Sequence, residues 1–353
     1  MTRLGGYELV RPLARGGMAD IYLARKAGLG GFERLVALKL LSSDDAESRA
    51  MFLDEARLVG MLHHQNIAGV IEVGVADGAH FLAMEYVHGS DLRQVLQAAA
   101  QRRIGVPFEA SLSIVAAAAA GLDHAHRRCG PDGRPLRLVH RDVSLSNLMI
   151  GLDGCVKVVD FGIASTTIAS VQTTPGTVRG KASYMAPEQC LGEAVDQRTD
   201  VFALGVVLYE VTTGVRCFGG PSDFDRMLAV VKGEYRSPSA IVPGYPPELE
   251  GIVRRALSLE PAHRFPSAAA LVDAIESCAR GYGWALGNAP IRRVMEALFD
   301  DVAATRDADV TDRVEVLTPR RLARGTVAPE PAWLEHDEEA RTRGRAPIRR
   351  PPS

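Results

Sequence analysis

The sequence predicts an α+β protein of two lobes, a small β-rich lobe with one main helix and a larger, mostly helical lobe. The chain has 353 residues, which is more than one compact core usually holds. The part before Tyr86 reads as short strands broken by turns, with one helical segment. From Ser90 onward the pattern of apolar residues becomes helical.

The elements of the predicted small lobe are separated by recognisable turns. A Gly-containing turn between two strand-like runs predicts a hairpin, and Asp77-Gly78 divides a later pair of strands. Between them, one segment carries apolar residues at helical spacing. In order, we predict strands at Tyr7 to Leu13, Ala19 to Ala24 and Leu35 to Leu41, a helix at Arg49 to Leu62, and strands at Ile67 to Val75 and His80 to Tyr86.

The predicted large lobe consists mainly of helices, with one hairpin near its start. Two apolar segments, Leu148 to Ile150 and Val156 to Val159, flank Asp153-Gly154 as the strands of a hairpin would. The polar, Thr-rich stretch Ser165 to Arg179 has no periodicity and predicts a mobile loop. We predict helices at Asp91 to Gln101, Phe108 to His126, Thr199 to Thr213, Ser222 to Val231, Pro247 to Leu257 and Ser267 to Arg280.

We therefore expect one domain over residues 7–280, with lobes at 7–87 and 88–280, and a C-terminal extension over 281–353. One amphipathic helix is predicted at 289–303. The rest of the extension is rich in acidic residues, Pro and Arg, and we expect disorder there because such a composition buries little apolar surface. A solvated tail is the simplest interpretation, and a docking or phosphate-binding arm is the alternative.

Composition and charge exclude several classes of function. A net charge of −2 gives no reason to expect nucleic acid or another polyanion as a partner. The five cysteines lie far apart without a Cys-x-x-Cys pair, which argues against a zinc site or a disulfide framework and favours a reducing, cytoplasmic setting. The longest apolar runs are too short to span a bilayer, so we expect no membrane span.

Lys39 is the unusual residue of the third predicted strand, in the run Val36-Ala37-Leu38-Lys39-Leu40. Alternation places Ala37 and Lys39 on one face, and a small residue beside a long cation suits a flat ring next to phosphates. A carboxylate in the following helix would hold the ammonium group. Helical spacing allows either Asp54 or Glu55 in this role, and periodicity does not choose between them. An exposed lysine on an edge strand is the alternative interpretation.

A second set of polar side chains, Asp142, Asn147 and Asp160, lies in short loops between predicted elements. Phosphoryl transfer needs a carboxylate that orients the attacking hydroxyl, hard oxygen ligands for Mg²⁺, and cations on the phosphates. Together with Lys39, these residues supply the required groups. The small-residue turn within 13–21 adds backbone N–H groups that can approach phosphates closely.

Taken in order, these segments resemble the motifs of the protein kinase family, in its bacterial, eukaryotic-like (Hanks-type) serine/threonine branch. The resemblance covers about residues 7 to 280, predicts the two-lobed protein kinase fold, and favours Glu55 over Asp54. The matching segments are the glycine-rich loop at Ala14-Gly16-Ala19, the strand motif Val36-Ala37-Leu38-Lys39, the helix residue Glu55, the hinge Met84-Glu85-Tyr86-Val87, the catalytic loop from His140-Arg141-Asp142 to Asn147, Asp160-Phe161-Gly162, Ala186-Pro187-Glu188, Asp200, and Arg264 as the partner of Glu188.

The resemblance implies ATP and Mg²⁺ as cofactors and assigns roles to the residues. Lys39, held by Glu55, would contact the α- and β-phosphates. Asp142 would accept or orient the proton of the substrate hydroxyl, and Asn147 and Asp160 would hold Mg²⁺. Contacts with the nucleotide are implied for Leu13, Ala14, Gly16, Ile21, Ala37, Lys39, Glu85 and Val87, of which Glu85 and Val87 offer backbone groups to adenine. Arg141 is implied to bind a phosphate on the activation loop, with Thr173, Thr174 and Thr177 as candidate phosphosites.

The chain departs from the family pattern at three places. Ala14 and Ala19 replace two loop glycines, and a methyl group there is expected to weaken nucleotide binding or displace the loop. Ser144 stands where serine/threonine kinases carry a Lys, and Lys181 stands where Thr is usual. We suggest that Lys181 replaces the missing cation beside Asp142. The alternative is that Lys181 is a solvated loop residue.

The expected function is transfer of the γ-phosphoryl group of ATP to Ser/Thr hydroxyls of protein substrates. Autophosphorylation in the activation loop is expected as well, and a homodimer would allow it in trans. A pseudokinase scaffold is the main alternative, favoured by Ser144 and the altered glycine loop and opposed by the complete set of phosphate- and metal-handling residues. A small-molecule kinase is a second alternative, which the Ala186-Pro187-Glu188 segment opposes. Because Ser144 removes a lysine typical of serine/threonine kinases, dual specificity stays open.

Overall fold

A six-stranded antiparallel sheet and one helix form the first lobe of the computed structural model, which describes residues 3–16, 18–42, 45–161 and 181–299. The strands are β1 Arg3–Leu4, β2 Tyr7–Arg15, β3 Ala19–Ala27, β4 Glu33–Leu41, β5 Val70–Ala76 and β6 Ala79–Glu85, and α1 spans Ala46–Gly60. Their order in the sheet is β1-β2-β3-β4-β6-β5. The predictions for the loop 165–179 and for the chain after residue 299 fall outside the described residues.

Strand β4 lies inside this sheet, between β3 and β6. Lys39 is therefore not on an edge strand, and it pairs with Ile21 on one side and Leu82 on the other. The alternation predicted for β4 is present, because Val36 and Leu38 are fully buried in an apolar cluster on one face of the sheet. The opposite face carries Lys39.

Helix α1 begins at Ala46, earlier than the predicted start at Arg49. Asp45 caps it, since the Asp45 side chain accepts a hydrogen bond from the Ser48 amide at 2.8 Å. The buried face of α1 contains Phe52, Glu55, Ala56 and Val59. Helical spacing therefore places one acid, Glu55, on the face that packs against the sheet.

Strand β5 begins at Val70, later than the predicted start at Ile67. Ile67 instead forms an isolated bridge with Val158, and the Ala68 amide donates to Val158 O at 3.0 Å. The Val158 amide donates in turn to Asn66 O at 2.8 Å. This segment thus ties the first lobe to the second instead of extending the first sheet.

The second lobe packs helices around a small three-stranded sheet. Its strands, in the order β7-β8-β9, are β7 Gly89–Asp91, β8 Leu148–Gly151 and β9 Val156–Val158. The helices are α2 Leu92–Gln101, α3 Phe108–His126, α4 Pro187–Leu191, α5 Gln197–Thr213, α6 Asp223–Lys232, α7 Pro247–Ala256 and α8 Ala268–Tyr282, followed by α9 over 288–299. Helix α5 is central, because its residues from Thr199 to Thr213 are all buried.

Helix α9 starts close to the predicted position of 289, but it packs against the large lobe. Ile291, Met295 and Leu298 belong to the same hydrophobic core as α3 and α5. Trp284, which precedes α9, stacks on Phe108 of α3. The segment 281–299, which we expected in a separate extension, is therefore continuous with the large-lobe core. Within the described ranges, no helix is both long and apolar enough to cross a membrane.

Candidate active site

Lys39 and Glu55 form an ion pair in the space between β4 and α1. Lys39 Nζ lies 2.6 Å from Glu55 Oε1, and both side chains are largely buried. Asp54 lies on the exposed side of α1 and pairs with Arg57 at 3.2 Å. The geometry therefore selects Glu55, which helical periodicity alone did not.

Asp160 completes a triad of charges with this pair. Asp160 Oδ1 lies 3.4 Å from Lys39 Nζ, although 121 positions separate the two residues in the chain. Burial alone would lower the pKa of Lys39, but the carboxylates of Asp160 and Glu55 outweigh burial and raise the pKa. Burial raises the pKa of Glu55, and Lys39 opposes that rise. Lys39 is thus a fixed positive charge in a site of low exposure.

Asp142 and Asn147 are held together within one loop. The Asn147 side-chain nitrogen donates to the Asp142 backbone oxygen at 2.7 Å and to Asp142 Oδ2 at 2.9 Å. Since both bonds use the amide nitrogen, the side-chain oxygen of Asn147 is the atom with which it can bind a cation. The Val159 amide donates to Asn147 O at 3.0 Å, which brings the loop next to Asp160.

Asp200 of α5 fixes the loop that carries Asp142 through hydrogen bonds to the loop backbone. Asp200 accepts hydrogen bonds from the backbone amides of His140 at 2.8 Å and Arg141 at 2.9 Å, and its Oδ2 lies 2.7 Å from His126 Nε2. Burial alone would raise the pKa of Asp200, but these partners lower it. The buried charge therefore holds Arg141 at φ +67°, a left-handed conformation that is costly for a residue other than glycine.

His140 links two parts of the candidate site, a contact that its sequence pattern did not predict. It is fully buried, its ring lies 4.5 Å from the ring of Phe161, and its Nε2 is 3.1 Å from Val159 O. The Asp142 amide lies 3.3 Å from His140 Nδ1. His140 therefore couples the Asp142 loop to the Asp160 segment. The signal was its place directly before Arg141 and Asp142.

The residues predicted to contact the nucleotide lie on neighbouring strands. Gly16 forms a tight turn in which its amide donates to Ala19 O at 3.1 Å, and a Cβ atom on Gly16 would lie 2.8 Å from that oxygen. Only glycine fits this turn without a shift of the backbone. Leu13 and Ala14 lie in β2, Ala19 and Ile21 in β3, Ala37 in β4, and Glu85 at the end of β6, with Val87 two residues beyond it. Their contacts with a nucleotide stay predictions.

Glu85 also has a structural role through its side chain. Its carboxylate pairs with Lys157 Nζ at 2.8 Å and accepts from the Gly69 amide at 3.2 Å. The backbone amide of Glu85 donates to Gly69 O at 2.8 Å. The backbone carbonyl is consequently the group that Glu85 would offer to a ligand.

Glu188 and Arg264 form the predicted pair deep in the large lobe. Arg264 donates to both carboxylate oxygens of Glu188 at 2.7 Å, and Thr199 Oγ1 donates to Glu188 Oε1 at 2.7 Å. Gln189, next to Glu188, donates to Arg141 O at 3.0 Å. This link anchors the segment Ala186-Pro187-Glu188 to the loop that carries Asp142.

Lys181 begins a 3₁₀ turn at Lys181–Tyr184, but its side chain lies outside what the structure describes, as do Thr173, Thr174 and Thr177. Ser144 is buried, and its hydroxyl lies 3.0 Å from Ser146 Oγ. The suggestion that Lys181 supplies the cation missing at Ser144 therefore stays a prediction.

Replacing Lys181 with Ala tests this suggestion. If Lys181 supplies the cation beside Asp142, we expect turnover to fall on the order of 10²-fold, as for loss of one electrostatic contact to a developing charge. Lys232→Ala, at an exposed lysine of α6, is the matched control and should leave turnover unchanged. Steady-state rates at saturating ATP measure both. Equal rates for Lys181→Ala and the wild type would refute the suggestion.

Comparisons with known proteins agree with this geometry. Residues 7–274 match the family described as protein kinase domain. The chain is 42% identical over 300 residues to the tyrosine-protein kinase MasK of Myxococcus xanthus, covering 84% of this chain and 46% of that protein. It is 33% identical over 267 residues to the serine/threonine-protein kinase PrkC of Bacillus subtilis, covering 75% of this chain and 39% of PrkC.

A further relative is the serine/threonine-protein kinase PknB of Mycobacterium leprae, 35% identical over 271 residues, which cover 74% of this chain and 41% of PknB. The chain thus spans less than half the length of these curated relatives. Among solved structures, the kinase domain of Mycobacterium tuberculosis PknI matches with a TM-score of 0.58 and 31% identity, over 79% of this chain and 98% of that domain. The predicted two-lobed fold is confirmed.

Proposed function

The chain belongs to the protein kinase family, in its bacterial Hanks-type branch, and we propose that it transfers the γ-phosphoryl group of ATP to serine and threonine hydroxyls of protein substrates. The observation that carries the proposal is the joint placement of Lys39, Glu55 and Asp160 beside the loop that pairs Asp142 with Asn147. In this placement a fixed cation (Lys39), the oxygen ligands that a metal could take (Asn147, Asp160) and a further carboxylate (Asp142) lie in one region.

The donor set fits a hard divalent cation. Asn147 and Asp160 offer an amide oxygen and a carboxylate, which are the ligand types that Mg²⁺ accepts. When bound, Mg²⁺ and ATP supply the transferable phosphoryl group and neutralise the charge that develops on it. We propose that Asn147 and Asp160 hold the metal.

The other residues would position the reactants. Lys39 would hold the α- and β-phosphates, since Glu55 fixes its ammonium group at 2.6 Å. Asp142 would orient the substrate hydroxyl and accept its proton as the hydroxyl oxygen bonds to the γ-phosphorus and the bond from that phosphorus to ADP, the leaving group, breaks. The backbone carbonyl of Glu85 and the backbone amide of Val87 would bind adenine. This division of roles leaves little covalent chemistry to the protein, as is usual for phosphoryl transfer.

Tyrosine is the second candidate acceptor, and a specific observation favours it. MasK is named a tyrosine-protein kinase, whereas PrkC and PknB are named serine/threonine-protein kinases. Ser144 also lacks the cation that serine/threonine kinases place near the transferred group. We propose serine and threonine because most of these relatives carry that name. Autophosphorylation at Thr173, Thr174 or Thr177, in trans within a homodimer, is part of the proposal.

Phosphoamino-acid analysis tests this choice. The chain is incubated with γ-labelled ATP, Mg²⁺ and a mixture of unstructured acceptor peptides that contain serine, threonine or tyrosine. We expect label on phosphoserine and phosphothreonine, in the peptides and in the chain itself. Label confined to phosphotyrosine would overturn the serine/threonine assignment while leaving the kinase assignment intact.

A further inference from the structure

The turn at Asp153-Gly154, which joins β8 to β9, lies directly against the start of α9. Gly154 has φ +84°, and a Cβ atom added to it would overlap the backbone oxygen of Asn288 and lie 2.9 Å from the backbone nitrogen of Arg292. The backbone of the turn and the backbone of the helix are therefore in contact. Glycine permits this approach because it has no Cβ atom.

Hydrogen bonds connect the turn to both of its strands. The Gly151 amide donates to Cys155 O at 2.8 Å, and the Gly154 amide donates to Gly151 O at 2.9 Å. The Asp153 carboxylate accepts from the Cys155 amide at 2.9 Å. A shift of the turn is consequently transmitted to both strands of the hairpin.

Helix α9 is itself fixed to the large lobe on several sides. Ile291, Met295 and Leu298 are at most 1 % exposed in the large-lobe core. Polar contacts to α2 and α3 add to this packing. They are Arg102 Nη1 to Ala297 O at 3.0 Å, Arg293 Nη2 to Glu109 Oε1 at 3.1 Å, and Gly287 N to Ser113 Oγ at 3.1 Å.

The opposite end of the same hairpin carries the proposed metal ligands. Asn147 directly precedes β8, and Asp160 follows two residues after the end of β9 at Val158. Strand β8 has four residues, so about 10 Å separates the Cα atoms of Leu148 and Gly151 at its two ends. The Val159 amide bonds to Asn147 O at 3.0 Å and closes this end. The hairpin thus connects α9 at one end to the two proposed metal ligands at the other.

We propose that α9 is a positioning element of the metal site, which it reaches through Gly154 and the β8–β9 hairpin. The inference rests on the proposed function, because it takes Asn147 and Asp160 as the metal ligands. It extends the catalytic unit beyond the family match, which ends at residue 274, to residue 299. Gly154 and α9 act through the ligands and touch neither substrate nor nucleotide.

Gly154→Ala in the full chain tests this proposal, with Gly78→Ala as the matched control. Both glycines follow an Asp in a hairpin turn, and their φ angles, +84° and +79°, are similar. A Cβ atom at Gly78 would meet no described atom within 4 Å. Both variants therefore carry the cost of Ala at positive φ, but only Gly154→Ala disturbs α9.

The first readout is amide hydrogen exchange without ATP or Mg²⁺, which reports local opening independently of activity. We expect exchange over Leu148–Gly151 and Val156–Val158 to speed up more in Gly154→Ala than exchange over Val70–Ala76 and Ala79–Glu85, the strands that flank Gly78, speeds up in Gly78→Ala. The second readout is the Mg²⁺ concentration for half-maximal phosphorylation. We expect it to rise roughly tenfold in Gly154→Ala alone, as for other losses of support around metal ligands. Unchanged exchange and Mg²⁺ requirement in a folded Gly154→Ala would overturn the proposal.

A second pair of variants covers the case in which Gly154→Ala does not fold. Met295→Ala loosens α9, and Leu271→Ala removes an equally buried side chain from α8. If both variants lose the same amount of melting temperature, we expect faster amide exchange in the β8–β9 hairpin of Met295→Ala only. Equal hairpin exchange in Met295→Ala and Leu271→Ala would overturn the proposal. Since exchange needs no activity, an inactive wild type would count against the proposed function and leave the positioning role to be judged from exchange.

Discussion

Asp142→Asn is expected to lower the turnover number by about 10³-fold, within the usual range for loss of a positioned proton acceptor. The substitution keeps the size and planarity of the side chain but removes the charge that accepts a proton. Its neighbour Asn147 donates to Asp142 Oδ2 and to Asp142 O. The backbone bond does not depend on the carboxylate, so we expect the loop to keep its shape.

Nucleotide binding distinguishes a chemical effect from a structural one. We expect the dissociation constant for ATP with Mg²⁺ to stay close to that of the wild type, because Lys39, Glu55 and Asp160 are unchanged. Asp132→Asn, at an exposed acid in a loop, is the control and should keep full activity. A turnover number for Asp142→Asn within threefold of wild type would show that Asp142 does not accept the substrate proton.

The second large effect is on stability, and we expect it for Arg264→Ala. The Arg264 side chain is fully buried and donates to both oxygens of Glu188 and to backbone oxygens of Ser258, Leu259 and Arg198. Removing it leaves the Glu188 charge buried, which typically costs about 3–5 kcal/mol of unfolding free energy. Arg198→Ala breaks the more exposed pair with Asp196 and should cost about 1 kcal/mol or less. Denaturant unfolding of both variants measures the difference.

The pH dependence of this loss has a defined sign. In the wild type, burial alone would raise the pKa of Glu188, but hydrogen bonds from Arg264 and Thr199 lower it. The ion pair therefore contributes its full stabilisation of the folded state above the ordinary glutamate pKa. This stabilisation is lost as pH falls through the lowered pKa of Glu188. Without Arg264, burial would leave the pKa of Glu188 raised. In the variant, Glu188 would therefore become neutral at a higher pH than in the wild type, and the cost of its buried charge would disappear there.

The stability gap between wild type and Arg264→Ala should consequently be largest at neutral pH. The gap should begin to narrow above the ordinary glutamate pKa of about 4.3, where Glu188 of the variant becomes protonated, and narrow further below it, where the wild type loses the ion pair. A gap that stays constant or widens toward acid would show that the charge of Glu188 is not what Arg264 compensates.

Much of the fold was predictable because local patterns determine it. The alternation in β4, the helical spacing in α3 and the Asp-Gly turns were each read from short segments, and the structure has them near the predicted positions. Helices α3 and α7 begin at the predicted Phe108 and Pro247, but α1 begins earlier than predicted, because its cap Asp45 lies outside the apolar pattern that defines the helix.

Contacts between residues that are distant in the chain were not predictable from local patterns. Asp200 holds the amides of His140 and Arg141 from about one-sixth of the chain away, and no local pattern reveals such a contact. Asp54 and Glu55 were equivalent by periodicity; the family resemblance favoured Glu55, and the packing of α1 against the sheet buries it. The role of α9 was missed because a change in composition near Gly283 suggested that the globular part had ended.

We propose that the chain transfers a phosphoryl group and does not merely bind nucleotide. The most direct measurement is transfer of label from γ-labelled ATP to protein by the wild type, with and without Mg²⁺, alongside ATP binding to the same preparation. We predict Mg²⁺-dependent labelling that disappears in Asp142→Asn while ATP binding persists. Saturable ATP binding with no more labelling in the wild type than in Asp142→Asn would contradict phosphoryl transfer and identify a nucleotide-binding scaffold.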